Sequence, residues 1–559
     1  MPSPVKEVTL TAPRTLAAVL DATSLEAACA PGAHDAVVVG AGAAGGLAAL
    51  LLAEAGLRVL VLDAGPPILA SRPRSPYSPG AMLKFLAGPA GLKYVPRSIV
   101  PLGRAALRGL GWWRQPIQSR SAAWARSPKS FVDDRACPYV TPPGRPFTWI
   151  RARQLGGRMV LPGHGRQYFR FGPNDFAPTD GLSEPWPLEP DELDEWYDAV
   201  EARLDLSGRT DGVPWLPDSL LAHMLEPTAD EASLMDAVRA HWPGARAVLG
   251  RFAQPLNALE QAAATGRLSC RQGAIVCEIK ADPTGNVRGL VWLDQQSGTR
   301  AEIHAPLVFL CGSALESTRL LLLSRGPDGA AGLGASSGVL GRNLMDHILV
   351  TVWGAGPALA PDAKAVDGRS VFLPRFDARD RTVPPDGRGF GVQAYQFPAS
   401  ATRSHFLAAA YGEMLPRADN RVSLAPERRD AWGIPALHID CHFDAVDLAR
   451  ARAQADALRD LARVASARVT RLSDRPAPPG SAVHECGTAR MGRDHRSAVL
   501  DPANQCWEAR GLYVTDGACF PSQGTQNPTL TILALTARAC DHAIQSAREV
   551  RGRPSANGD

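Results

Sequence analysis

At 559 residues, with 45% hydrophobic and 21% charged residues, the chain has an ordinary globular balance and enough length for two or three domains. A formal net charge of +4 is too small at this size to imply a nucleic-acid partner, and no apolar run reaches the roughly 18 residues of a membrane span. The ten cysteines are scattered without a CxxC pair, and Asp21 and Glu26 interrupt the early apolar patch, a poor secretory signal; a reducing, cytoplasmic setting is expected.

After a helical lead-in over 1–33, the run Ala36-Val37-Val38-Val39 reads as a buried parallel strand. It turns through Gly40-Ala41-Gly42-Ala43-Ala44-Gly45 into an alanine- and leucine-rich helix, and a second apolar run, 59–62, ends on Asp63. Strand, glycine turn, helix, strand and acid together make a dinucleotide-binding βαβ unit. Gly40 permits the tight turn, Gly42 lets the backbone approach a pyrophosphate, and Gly45 lets helix and strand pack closely. The helix amino terminus presents unpaired N–H groups to phosphates. Asp63 can accept from an adenosine ribose and would repel the 2′-phosphate of NADP.

From Gly65 to Phe131 the chain is rich in Pro, Gly and aromatics and carries eleven Lys or Arg with no Asp or Glu. No sustained helical moment accompanies these cations, so the segment (66–132) reads as an irregular excursion over the nucleotide domain rather than a membrane-contacting surface. Two glycine-punctuated cationic stretches follow, Arg153-Gln154-Leu155-Gly156-Gly157-Arg158 and Gly163-His164-Gly165-Arg166-Gln167. An acidic amphipathic helix begins near Pro190. Residues 268–304 alternate as a β-meander, and 307–312 running into a helix over 314–323 resumes the nucleotide domain after an insertion. After Gly341-Arg342-Asn343-Leu344-Met345-Asp346-His347, short strands are predicted at 348–353, 371–373, 391–397, 406–414, 421–424 and 437–443, closed by a helix over 445–469. Last come a short strand ending on Asp516-Gly517 and a long helix capped by Asn527-Pro528-Thr529.

These stretches together resemble the glucose–methanol–choline (GMC) flavoprotein oxidoreductases. The resemblance is carried by the Gly40–Asp63 unit, by Arg153 to Arg158, and by His484-Glu485-Cys486-Gly487-Thr488-Ala489-Arg490-Met491-Gly492, Tyr513-Val514-Thr515-Asp516-Gly517-Ala518 and Asn527-Pro528-Thr529-Leu530-Thr531. The order and separations fit along nearly the whole chain. Residues 146–158 with Gly165-Arg166-Gln167 look like the branch of bacterial sugar, glycoside and gluconate dehydrogenases and pyranose oxidases. Met159-Val160-Leu161-Pro162-Gly163-His164 departs from that branch's aromatic-rich stretch, which puts the substrate pocket in question. His164 offers a histidyl–flavin attachment point, but a glycine-flanked loop histidine and a non-covalent flavin are the favoured reading.

The implied fold is α/β: a discontinuous Rossmann-like FAD-binding domain plus an α+β substrate domain with an antiparallel sheet. FAD-binding parts are expected at 34–175, 241–345 and 481–550, a mostly helical substrate-side segment at 176–240, the substrate domain at 346–480, and a polar tail at 551–559. The resemblance implies FAD lying along the first domain, with Gly40, Gly42 and Gly45 at the pyrophosphate, Asp63 at the ribose, and Ala44 and Ala64 also among the cofactor-binding residues. Val276 would face the adenine through its backbone. Asp516 and Gly517 would reach the ribityl–pyrophosphate region, with Asn527, Pro528 and Thr529 near the isoalloxazine. Arg153, Gly156, Gly157, Cys311 and Gly312 complete the expected cofactor set.

Oxidising an alcohol requires a base within about 3 Å of its hydroxyl, and His484, an imidazole with an ordinary pKa near 6.5, is the candidate. Asn527 would donate its amide to the substrate oxygen while capping the last helix. Gln393, Tyr395, Tyr411 and Glu413 alternate in the substrate domain and are candidates for reading sugar hydroxyls. His438, Asp440 and His442 share a strand face, which is more often a hydrogen-bonded surface than a metal site, and no metal is expected. The expected reaction is hydride transfer from a sugar, glycoside or polyol-like alcohol to the flavin. The alternatives are a non-sugar alcohol of specialised metabolism, a lyase with a structural FAD and, last, a binding module. The electron acceptor (oxygen, quinone or redox protein) stays open.

Overall fold

The computed structural model describes residues 15–66, 114–178, 181–360, 368–376 and 388–552. Most of the basic excursion and the polar tail beyond 552 lie outside these residues. The lead-in forms two short helices, Leu16–Ala22 and Leu25–Cys29.

A six-stranded sheet sits at the centre of the nucleotide domain, in the order 505–506, Ala509–Val514, Leu307–Leu310, Ala36–Val39, Val59–Asp63, Leu268–Gln272. All but the first of these strands run parallel, with Ala36 beside both Val59 and Leu307, Val308 beside Leu512, and Val59 beside Leu268. Each residue of Ala36–Val39 and Val59–Asp63 is buried. That explains their continuous apolar runs: both faces are covered, so no alternation is needed. One face packs against the helices Ala43–Glu54, Ala258–Ala264 and the carboxyl-terminal helix Thr529–Gly552. The other meets an antiparallel meander, Ala274–Ala281, Val287–Asp294 and Arg300–His304, whereas Leu268–Gln272, expected to open that meander, pairs parallel with Val59–Asp63 in the central sheet. Fully burying each such Val or Leu side chain contributes about 1.5–3 kcal/mol.

The second domain is an antiparallel sheet ordered Arg468–Leu472, Ile348–Pro357, Arg403–Gly412, Phe390–Ser400, Val371–Phe376, Val248–Leu249. Along Ile348–Pro357, the residues Ile348, Val350 and Val352 are buried in the core shared with the helix Ala445–Val464. The alternate residues Leu349, Thr351 and Trp353 turn to the opposite face, over a deep cavity. Arg421–Arg429 and Pro435–Asp440 form a separate two-stranded sheet.

One expectation about the second domain is corrected here. The closing helix stops at Val464 rather than continuing to 469. Ser466 takes a left-handed conformation (φ 52°), and Arg468–Leu472 becomes the edge strand beside Ile348–Pro357. The β-branched Val469 and Thr470 favour that strand. The His438 strand is a structural surface: Asp440 pairs with Arg145 at 2.7 Å and His442 Nε2 lies 3.6 Å from Asp419. Among the described residues, no helix is long and apolar enough to cross a membrane.

Candidate active site

The glycine turn is built as the sequence requires. Gly40 has φ 96°, and a Cβ there would stand 2.6 Å from the Cys311 carbonyl oxygen. Gly42 precedes the first turn of helix Ala43–Glu54 with no side chain capping it, and a Cβ on Gly42 would meet open space. The helix N–H groups therefore face a cavity of about 1180 Å³. Gly45 does not line that cavity. A Cβ there would lie 1.8 Å from the Gly40 carbonyl oxygen, so its role is close helix–strand packing rather than contact with a pyrophosphate. Gly156 likewise stays outside the lining, donating its N–H to the Ala41 carbonyl at 2.8 Å. Its neighbour Gly157 abuts Gly42 and does line the cavity.

Asp63 sits at the end of its strand, where its oxygens accept from the N–H groups of Gly65 (2.7 Å) and Ala41 (3.0 Å). Second lone pairs on each oxygen remain for a ribose. Gly40, Ala44, Ala64, Arg153, Val276, Cys311, Gly312, Asp516, Gly517, Pro528 and Thr529 also line the cavity. At the Val276 end, burial would raise the Glu316 carboxyl, but Arg153 (3.1 Å) and Arg319 hold it down to about 2. Midway, Arg158 pairs with Glu485 at 2.7 Å, and the Asp516 carboxyl, pushed up to about 6 by burial, accepts from Ser317 at 2.5 Å. Oε1 of Glu485 is buried with no protein hydrogen-bond partner, beside a cleft long enough for a dinucleotide. A buried carboxylate oxygen in that state calls for a donor from outside the chain. The open glycine turn, the acid at the strand end and this unmet acceptor together fit FAD.

The far end of the cavity carries the reactive side chains. His484 follows Val483, whose φ of 64° is a strained conformation for a β-branched residue. Asp346 holds that loop, accepting from the N–H groups of Gly480 (2.7 Å), Ala482 (3.1 Å) and His484 (3.0 Å). Burial and the nearby Glu485 push its carboxyl up to about 7 against those three donors. Gln523 donates to the His484 carbonyl at 2.5 Å.

The His484 ring is fixed from both sides. Its Nδ1 lies 2.8 Å from Nδ1 of His347, and Nε2 of His347 lies 3.1 Å from the Gly524 carbonyl oxygen. A carbonyl only accepts, so His347 carries its proton on Nε2 and accepts at Nδ1. His484 then donates from Nδ1, leaving Nε2 bare toward the cavity. The Asn527 amide nitrogen is 3.2 Å from that Nε2. Gln393 donates to the Asn527 carbonyl oxygen, and the Tyr395 hydroxyl donates to Gln393 at 3.0 Å. Burial brings His347 down to about 4, so it stays neutral. Burial, with His347, Arg158 and His164 nearby, holds His484 well below its usual 6.5.

Among the residues expected to read substrate, Gln393, Tyr395 and Tyr411 line the cavity. The Tyr411 ring packs 5.6 Å from His484 and 5.9 Å from His347. Glu413 does not reach the cavity. It is buried behind it, paired with Arg388 at 2.7 Å and accepting from the N–H groups of Gln523 and Gly524 at 3.1 Å. A residue two positions past Tyr411 should share its face, but the strand ends at Gly412 and the alternation ends with it. His347 and Asp346 were missed as functional residues. The available signal was an adjacent Asp-His pair at the domain junction, which sequence spacing alone does not connect to a histidine 137 positions away.

Known family models match both the catalytic end of this geometry and its glycine turn. A GMC oxidoreductase model matches residues 416–536, and an NAD(P)-binding Rossmann-like domain model matches 38–81. Over its carboxyl-terminal part the chain is a GMC oxidoreductase. Its cofactor is FAD and its reaction class is oxidation at an alcohol. The chain is 26% identical to a 2-methyl-1,2-propanediol dehydrogenase of Mycolicibacterium austroafricanum, over 91% of this chain and 94% of that one. It is 27% identical to a 6'''-hydroxyparomomycin C oxidase of Streptomyces lividus, over 100% and 98%. The crystal structure of pyridoxine 4-oxidase from Mesorbium loti shares this chain's fold, with a TM-score of 0.58, 22% identity and coverage of 91% of this chain and 99% of that one.

Proposed function

We propose that the protein oxidises a hydroxyl of a sugar, glycoside or polyol-like molecule, with His484 as base and Asn527 as the group that orients the alcohol. The carrying observation is the tautomer order set by the Gly524 carbonyl, which leaves Nε2 of His484 unprotonated, 3.2 Å from the Asn527 amide nitrogen. FAD, when bound, supplies the hydride acceptor. An entering hydroxyl donates its proton to Nε2 and accepts from the Asn527 amide, taking the place the amide holds at rest. The Gln393 amide and Tyr395 hydroxyl keep Asn527 facing the alcohol oxygen by anchoring its carbonyl. Removing the proton at Nε2 raises the electron density on the alcohol oxygen and so weakens the carbinol C–H bond. His347 and Asp346 act as positioning residues, one through the ring and one through the backbone.

Two relatives support the alcohol class, one named for a diol and one for a hydroxylated aminoglycoside. A non-sugar alcohol is the second reading, favoured by the departure at 159–164, whose Met159, Gly163 and His164 line the cavity. All ten cysteines are free thiols, which fits a reducing, cytoplasmic setting. The test is an anaerobic panel of sugars, glycosides, diols and simple alcohols, scored by bleaching of the bound flavin. Bleaching by members of the sugar, glycoside or polyol sets supports the reading; bleaching by none of these alcohols overturns it.

A further inference from the structure

The proton order of the histidine pair has a mirror image. If the peptide joining Gly524 to Thr525 turned over, an N–H would face Nε2 of His347 in place of the carbonyl. His347 would then donate from Nδ1, and His484 would carry its proton on Nε2, the nitrogen that must be bare. Gly524, at φ 64°, has no Cβ to oppose such a turn. The Asn527 amide favours the bare Nε2 at rest, but an entering alcohol takes its place. During the reaction the choice therefore falls to whatever holds the 524–525 peptide.

A file of hydrogen bonds holds it from the other side. The file starts at Arg375, whose guanidinium only donates and pairs with Oδ1 of Asp175 at 2.5 Å. Oδ2 of Asp175 accepts from the Gly172 N–H at 2.7 Å and from the Gln526 amide at 3.0 Å. A carboxylate only accepts, so Nε2 of Gln526 faces Asp175 and Oε1 is left for the backbone. That oxygen accepts from the Thr525 N–H at 2.9 Å. In a planar trans peptide the N–H and C=O point in opposite directions, so the Gly524 carbonyl is turned to His347. Asp175, Thr525 and Gln526 are all buried, and a missing link would leave its neighbours unsatisfied.

Resting on the reading of His484 as base, we propose that Asp175 and Gln526 are positioning residues that set which nitrogen of His484 is bare. Neither lines the cavity. From Asp175 the direction passes through one amide, one peptide and two imidazoles, each donating on one side and accepting on the other. The ion pair that starts the file joins the short helix Pro173–Phe176 to the strand Val371–Phe376, so the place of the catalytic proton depends on a contact made outside the cavity.

The test reads the proton directly, from histidine side-chain nitrogen resonances of isotope-labelled, FAD-loaded enzyme. His484→Gln identifies the His484 signals among the twelve histidines. The comparison is made in Asn527→Ala, where the resting amide no longer biases the ring. Asn527→Ala alone should keep His484 protonated at Nδ1, and adding Gln526→Met should give a mixed population with Nε2–H present. Gln526→Met by itself should slow anaerobic flavin reduction by about ten- to a hundredfold at saturating alcohol, the scale of a misplaced catalytic group. Ser522→Ala removes the acceptor of the Trp186 ring N–H (2.8 Å) in the same loop; added to Asn527→Ala, it controls for lost stability and should keep the Nδ1 proton. Should Gln526→Met not accumulate as folded protein, Gln526→Asn, one methylene too short to join Asp175 to Thr525, takes its place. Unchanged His484 signals in the Gln526 variants, a mixed population already in Asn527→Ala, or the same shift with Ser522→Ala overturns the proposal. A wild-type His484 protonated at Nε2 would instead overturn the base assignment beneath it.

Discussion

Nδ1 of His347 lies 2.8 Å from Nδ1 of His484, joining two imidazoles edge to face at an interplanar angle of 87°. Because His347 is committed to the Gly524 carbonyl through its other nitrogen, this contact orients the His484 proton away from the cavity. In His347→Ala the proton can return to Nε2. Flavin reduction is expected to slow by about ten- to a hundredfold, the scale of a misplaced catalytic group. A merely structural role would leave the pH profile in place. Loss of His347 should instead move the profile's acid limb to higher pH, since His347 is among the groups holding His484 down.

His484→Ala should retain FAD yet reduce it at least about a hundredfold more slowly, following general-base magnitudes. Asn527→Ala should cost less in rate and more in substrate affinity. Stopped-flow reduction at saturating and limiting substrate separates the two. An unchanged reduction rate in His484→Ala would remove that residue from the chemistry.

The pH dependence of the wild type has a definite sign. His484 works unprotonated, and burial with its neighbours holds its pKa well below 6.5. Reduction should therefore stay flat from alkaline pH down through 6.5 and decline only in more acidic buffer. A half-maximal rate at or above pH 7 would contradict this environment. Anaerobic reduction rates across pH 5–9 provide the measurement.

Asp346 can be tested apart from the ring chemistry. Asp346→Ala removes an acceptor shared by three N–H groups and leaves those donors buried. A loss of about 2–4 kcal/mol in unfolding free energy is expected, with faster amide exchange over 480–484. Asp346→Asn keeps one carbonyl acceptor and should fall between the two. Identical exchange in all three proteins would show that the loop is held by other means.

The two glycines of the turn should part company. Gly42→Ala meets no neighbour within 4 Å, so the apo protein should fold with near-native stability while its flavin content falls. Gly45→Ala places a methyl 1.8 Å from the Gly40 carbonyl oxygen and should impair folding itself. Comparing flavin-to-protein ratio with the thermal midpoint of the stripped proteins distinguishes the two failures.

The nucleotide half was legible because its signals are local. The strand Ala36–Val39, the turn at Gly40 and the acid at Asp63 lie within 28 consecutive positions, and each follows from backbone sterics and burial. Within that turn, Gly45 was rightly assigned to packing by its backbone, while the cofactor contact implied by resemblance did not hold. The roof was legible as alternation along each strand, so Gln393, Tyr395 and Tyr411 came out facing the cavity. Glu413 did not, because period-two reasoning carries on past the point where the strand stops. Val464 was overrun for the converse reason: residues 465–469 are compatible with a helix until Ser466 adopts a positive φ. His347 lay beyond such reasoning, since its partner is reached only through the fold, and its role depends on a carbonyl that is invisible in side-chain identity.

That carbonyl has an evolutionary consequence. The polarity of the histidine pair is anchored in Gly524 by a main-chain oxygen, which every amino acid possesses, so no single codon change at that position can delete the acceptor itself. Drift there can alter the path of the chain but not the presence of the atom. Selection acting on catalytic direction would then leave its mark on spacing and backbone shape around position 524, where alignments of residue letters register little.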